Sequence, residues 1–549
     1  MAVGRRLKIA GAKYNVVPMA VVSFADGNCI GKASQVSYCK SMKWISRRRF
    51  LWGAACATVA ASASVRTVFA AHNSPQTRLA SDKLRPQFHL LPAANWMNDP
   101  NGPIFYKGRY HMFFQYNPNG AFWGSMHWAH ATSPDMVFWQ HEPVAVAPTA
   151  GGWDRDGVFS GSAVLDGGTP TIIYTGVLPR APATEITLDD GNHKWREVQC
   201  LAISNDADLR TWQKAAEPII AHPPEHLAIT GFRDPGVWRE GNEWLLTLGS
   251  GIKGQGGTVL LYESRDLRHW TYRHPLIEGR GTGQPATNPV DNGEMWECPD
   301  FFPLGDRHVL LYSAMGKVWW KTGRYHGRRF SAEKEGVVDF GSYYAAKTML
   351  DEHGDRILWG WIPETRLEAE YRAAGWAGVM ALPRVLAIGP DGGLQMTVAP
   401  VVEKLRATHA AVRRKDRNRE EVLKGVRIRD LAAEIWVEFS AKRAFRLSLR
   451  SEKGERFAEI SYDPQQKNAE LRVNEVTGAL AAQGAVTLRV FVDGSVVEAC
   501  GNEKTAITAR VYSVPSTPLL VEVSAMEELQ SLDVWGMKPI SKDRLTTAG

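Results

Sequence analysis

The sequence predicts an all-β protein, a β-propeller followed by a C-terminal β-sandwich. Three observations carry this: a repeated Ser, Asp, Trp, Pro skeleton, short strand-like runs with no long helical periodicity over residues 85–390, and a change to charged, alternating segments after residue 394. The skeleton appears in SPDMVFWQHEP (133–143), SNDADLRTWQKAAEP (204–218) and SRDLRHWTYRHP (264–275). Its tryptophans, Trp139, Trp212 and Trp270, are 73 and 58 residues apart, about one four-stranded blade with its loops. At that spacing residues 85–395 hold five blades; on pattern alone a sandwich or lectin-like barrel is the alternative.

The chain opens with a leader. Residues 1–70 hold eleven Lys or Arg against the single acid Asp26, so they carry +10 of a total of +7 and residues 71–549 carry about −3. With no basic excess beyond the leader, no nucleic-acid partner is expected. SRRRFL (46–51) is a twin-arginine pattern, and the uncharged Ala-rich run from Phe50 to Val65 is too short to span a bilayer. Val68-Phe69-Ala70 offers small residues for cleavage, and Met42 stands where an export n-region would begin, leaving 1–41 as an upstream extension. The expectation is an exported, periplasmic or secreted protein without a stable membrane anchor. Of six cysteines only Cys200, Cys298 and Cys500 follow the leader, too few and too far apart for a disulfide framework or a CxxC metal site. No metal or cofactor is expected.

Within the propeller segment, runs such as RYHMFFQYN, TIIYTGV, EWLLTLGS, TVLLYES and HVLLYSA are bounded by turn-forming residues. Acids recur at similar intervals: Asp99, Asp156, Asp234 and Glu297, which suggests one per blade. Residues on the innermost strands of a propeller converge on a central funnel, so distant acids would meet there. From 405 to 537, AEIWVEFSA, AFRLSLRS, AVTLRVFVDGSVVEAC and TAITARVYS alternate with period two, as in a sandwich, and 541–549 reads as a loose tail.

Converging carboxyl groups suit glycoside hydrolysis, where one attacks or activates and the other donates a proton. Asp99, in NWMNDPNG, sits on a turn that ends a strand; Glu297 lies between Trp296 and Cys298, an apolar setting expected to keep it protonated; Asp234, beside Arg233, is expected to stay ionised. Each segment alone reads equally well as a turn or a buried ion pair. Trp96, Phe122, Trp123, Phe159 and Trp238 offer faces for sugar rings, and Asn98, Gln115 and Ser160 offer hydroxyl partners, although any one aromatic is more often core.

In order and spacing NWMNDPNG, FSGS, FRDP and WECPD resemble the blocks of glycoside hydrolase family 32, the β-fructofuranosidases, and the resemblance extends through residues 85–537. It implies a five-bladed propeller plus sandwich, a fructoside substrate, Asp99 as nucleophile, Glu297 as acid and base, and Asp234 as transition-state stabiliser. It also implies that Asn98, Gln115, Trp123, Phe159, Ser160 and Arg233 line the subsite for the fructosyl unit. SAMGKVWW (313–320) has Lys317 but lacks the Asp that plant sucrose-cleaving members carry there; this departure leans toward fructans, with Trp319 and Trp320 as stacking surfaces or core. Fructosyl transfer and a non-catalytic carbohydrate-binding propeller are the alternatives.

Overall fold

The computed structural model describes residues 75–179, 195–284, 288–466 and 469–541. The expected leader, its cleavage site and all but Ser541 of the expected tail lie outside them. Five antiparallel sheets follow one another along the chain, starting with the strands Asn95–Tyr106, Gly157–Asp166, Ile229–Glu240, Glu297–Leu304 and Tyr344–Leu350. These first strands touch in cyclic order, and the fifth packs on the first, so the sheets are the blades of a closed five-bladed propeller. Closure is reinforced where Trp376–Ala377, a detour of the fifth blade, pairs in parallel with Asn95 and Trp96. Gly378 turns the chain there with φ +82°, and a Cβ on it would lie 1.9 Å from the Met97 carbonyl oxygen, so only glycine fits.

The Ser-Asp-Trp skeleton is a turn between the third and fourth strands of the first three blades. In the third, Ser264 Oγ accepts from the Asp266 amide, and Asp266 accepts from the amides of Arg268 and His269. The Trp270 indole then donates to the carbonyl of Leu267, a residue at positive φ. Trp139 with Met136 and Trp212 with Leu209 repeat the arrangement. The repeat is therefore a local solution for a tight turn, built from Asp–amide bonds and an indole that is buried in the first blade and half-buried in the next two.

Sheets of six and five strands form the sandwich, from Arg406–Arg413 to Leu529–Met537, around a core of alternating residues such as Ile435, Val437, Phe439, Leu447 and Ile460. A buried polar cluster joins it to the propeller. Asp493 accepts from the amides of Gln87, Phe88 and His89, and the His89 ring bridges Asp493 Oδ2 at 2.7 Å and Glu498 Oε1 at 2.9 Å. Arg384 donates to Glu498 and to Asp339, and Asp339 accepts from the amide and hydroxyl of Thr508. Among the described residues no helix is long and apolar enough to cross a membrane.

Burial disfavours a charged His89, but the Asp493 and Glu498 bonds outweigh it and raise its pKa to about 9. A raised folded-state pKa contributes stability that is complete below the unfolded value near 6.5 and is lost as pH rises to 9. Denaturant midpoints should therefore fall across that window, by on the order of 3 kcal/mol for this group. In His89→Gln, destabilised overall, this part of the pH slope should vanish; an unchanged slope would show that other groups produce it.

Candidate active site

Four of the innermost strands are edges on the funnel side, the first pairs there only with Trp376–Ala377, and each carries an irregularity at its funnel end. Register shifts fall at 97–100 in the first blade, 158–161 in the second, opposite Asp234 in the third, 297–300 in the fourth and 344–347 in the fifth. Asp234, Cys298 and Ala345 adopt positive φ there, and Pro100, Pro235 and Pro299, which donate no ladder hydrogen bond, are tolerated at these positions. In the first three blades two successive residues thus aim at one cavity, Asn98 with Asp99, Phe159 with Ser160 and Arg233 with Asp234, which strict alternation would forbid.

All nine residues named from the sequence line that cavity, of about 250 Å³, together with Met126, Asn288, Tyr344 and Trp361. The first blade contributes Asn98, Asp99, Gln115 and Trp123, the second Phe159 and Ser160, the third Arg233 and Asp234, the fourth Glu297, and the fifth Tyr344. Asp156 is not among them. It lies in the turn before the second blade, 38% exposed and 3.7 Å from Arg155, and Ser160 occupies the place where one acid per blade was expected.

Asp99 accepts from Ser160 Oγ at 2.6 Å and from Asn98 Nδ2 at 3.0 Å; Asn98 is in turn held by the Trp96 indole at 2.7 Å. Burial pushes the Asp99 carboxyl above its ordinary value while these two donors pull it down. Glu297 receives Arg233 Nε and Nη2 on Oε1, at 3.1 and 2.8 Å, and the Tyr344 hydroxyl on Oε2 at 2.8 Å. The apolar setting expected for Glu297 is therefore replaced by a cation and a phenol, because Trp296 turns away to stack on Tyr312 with ring centroids 3.9 Å apart. Arg233 does not pair with its neighbour Asp234. Its guanidinium spans Glu297 and the buried Glu197, which also caps the Phe232 amide. Asp234 accepts instead from the Cys298 amide at 2.9 Å, and burial pushes its carboxyl up to about 7 despite the pull of Arg233, with Glu297 and Asp99 adding repulsion. The expectation that Asp234 stays fully ionised is corrected accordingly. Cys298 Sγ lies 3.5 Å from an oxygen of both Asp99 and Asp234, which puts those two oxygens no more than twice that distance apart.

Of the five aromatics singled out, Trp123 and Phe159 line the cavity and pack against each other and Trp195. Trp96 is buried behind Asn98, Phe122 lies under the Arg372 guanidinium, and Trp238 faces the opposite end of the propeller. Trp319 and Trp320 pack into blade cores away from the cavity, and Lys317 binds the carbonyls of Phe340 and Gly341. Tyr344, Met126, Asn288 and Trp361 went unnamed; Tyr344 stands in the YYAAKTM run, where an acid-based search gives no cue.

Three carboxyl groups and one arginine at the mouth of a five-bladed propeller define a glycosidase. The chain belongs to glycosyl hydrolases family 32, whose N-terminal domain pattern matches residues 89–400 and whose C-terminal pattern matches 401–536. It is 35% identical over 465 residues to a sucrose-6-phosphate hydrolase of Escherichia coli, covering 78% of this chain and 90% of that one. Identity is also 35% to a cell wall β-fructofuranosidase of Zea mays, covering 76% and 74%. Among solved structures, fructan 1-exohydrolase IIa from Cichorium intybus superposes with a TM-score of 0.69 at 26% identity, covering 83% and 98%.

Removing one partner of a buried ion pair leaves an uncompensated charge. Glu197→Ala should therefore cost about 3–5 kcal/mol in denaturant unfolding and lower turnover, whereas Glu197→Gln should recover part of both.

Proposed function

We propose that the protein is a retaining β-fructosidase that releases terminal fructose from sucrose or fructans through a covalent fructosyl-enzyme. The observation that carries this reading is the pairing of Asp99 with Glu297 in one cavity, each held by its own donors: Ser160 and Asn98 for the first, Arg233 and Tyr344 for the second. Asp99 attacks the anomeric carbon as Glu297 hands a proton to the departing glycosidic oxygen. Glu297 then takes a proton from water, which attacks the same carbon and frees Asp99. Donors to Asp99 keep an anion available despite burial. Asp234 accepts hydroxyl hydrogen bonds that strengthen as positive charge grows on the ring, and Trp123 with Phe159 covers the apolar sugar face.

The twin-arginine pattern at 46–51 supports export before action, with the substrate met outside the cytoplasm. The lean toward fructans rests only on the missing Asp near Lys317, since Trp319 and Trp320 pack, half-buried, against blade cores away from the cavity.

Asp99→Asn and Glu297→Gln should each lower turnover by several orders of magnitude with the melting temperature little changed. Wild-type rates in either would remove the assignment. Incubation with sucrose, levan and inulin side by side should yield free fructose; longer oligosaccharides at high sucrose would identify a transferase, and no product at all a binding propeller.

A further inference from the structure

A second cavity, of about 330 Å³, lies on the propeller axis beyond the first. Its lining comes from the same five innermost strands a few residues further along, 102–105, 162–164, 237–238, 300–303 and 347–350, and from Arg356 at the start of the second strand of the fifth blade, Arg356–Ile362. Since each strand advances about 3.3 Å per residue, the two cavities are roughly 10 Å apart along the axis. Between them Lys347, 2% exposed, spans the layer and donates to the Pro299 carbonyl at 2.8 Å, the residue after Cys298.

The polar groups of this far cavity are unequally satisfied. Arg356 lies over the Phe302 ring at 4.7 Å, and its hydrogen bond from Nη1 to Thr348 Oγ1 is long at 3.4 Å. Its Nε is buried without a hydrogen-bond partner among the described residues, as is Ser162 Oγ. Burial draws the arginine below its ordinary pKa, the sign of a cation short of counter-charge. Neither Arg356 nor Lys347 forms an ion pair with a described carboxylate. Asp300, the only acid in the lining, commits Oδ2 to the Thr348 amide and hydroxyl, both at 2.7 Å. Two cations against one engaged carboxylate leave the cavity net positive, and a half-buried guanidinium whose buried Nε–H lacks a partner favours an oxyanion over a neutral ligand.

We propose that this far cavity is a binding site for a small oxyanion, a phosphate or carboxylate group, held by Arg356 and Lys347 with the Ser162 hydroxyl as a further donor. The site is distinct from the active site, which has its own cation in Arg233, and it lies one layer beneath the Cys298 that touches Asp99 and Asp234. A bound anion would lower the positive potential under those carboxyl groups.

Calorimetric titration of the whole protein with inorganic phosphate at constant ionic strength should show saturable binding to one site. Arg356→Gln should weaken it at least about tenfold, the loss expected for a charge-assisted hydrogen bond, and Ser162→Ala by a smaller factor. Ser162→Ala keeps the test open if the arginine variant does not fold. Crystals soaked in phosphate should show the anion against Arg356, and a parallel acetate titration ranks a planar against a tetrahedral head group. No saturable binding of either anion, equal binding in a folded Arg356→Gln, Ser162→Ala equal to wild type where the arginine variant does not fold, or phosphate found only at Arg233 would each overturn the proposal.

Discussion

Three carboxyl groups share one cavity whose lining holds a single cation, and much of the surrounding structure answers that imbalance. Two carboxylates about 5 Å apart repel by roughly 3 kcal/mol at the effective dielectric of a partly buried site. Arg233 offsets part of this at Glu297, but a guanidinium sunk to 4% exposure is itself costly unless anchored, and Glu197 behind it supplies the anchor. Asp99 is steadied by neutral donors instead, Ser160 and Asn98, which satisfy an anion without adding charge. Asp234, left with the Cys298 amide and thiol, is pushed by burial toward the neutral form. The three acids thereby come to differ in environment although they arise from similar strand irregularities in the first, third and fourth blades, and such differences separate their chemical roles.

The aiming of these groups follows from propeller geometry. Apart from the two-residue Trp376–Ala377 pairing on the first, the innermost strands pair on one side only, so their funnel-facing backbone can bulge, take positive φ and accept proline at little cost to the sheet. Those backbone conformations are costly in a regular strand, typically 1–3 kcal/mol each for a non-glycine residue. At the site they occur at Asp234, Cys298 and Ala345, where the closed ring of blades over-determines them. The sandwich contributes through the buried His89, Asp493, Glu498 and Arg384 cluster, which fixes the segment just before the first innermost strand. Positions held this way from both sides leave Asn98 and Asp99 little freedom to drift.

What could be read from the chain alone was set by local chemistry. NWMNDPNG and FRDP read locally as turns and WECPD as an apolar setting, while the roles of Asp99, Asp234, Glu297 and the binding residues followed from the resemblance of these blocks to a known family. The Ser-Asp-Trp repeat was legible too, because its hydrogen bonds close within seven residues. Spacing misled at Asp156, where periodicity counts residues but does not register which side of a turn a side chain leaves from.

The all-β class, the blade repeat, the alternating sandwich strands and the site motifs were determined by the sequence by itself, since each depends on contacts between near neighbours in the chain. Only tertiary structure decided which way Arg233 points, that Glu297 meets Tyr344 rather than an apolar pocket, that Asp234 is left short of counter-charge, and that the strand continuations enclose a second, net-positive cavity. Those outcomes depend on groups dozens to hundreds of residues apart competing for the same few donors in a low-dielectric space. Such a competition has no trace in local sequence and is settled when the ring of blades closes.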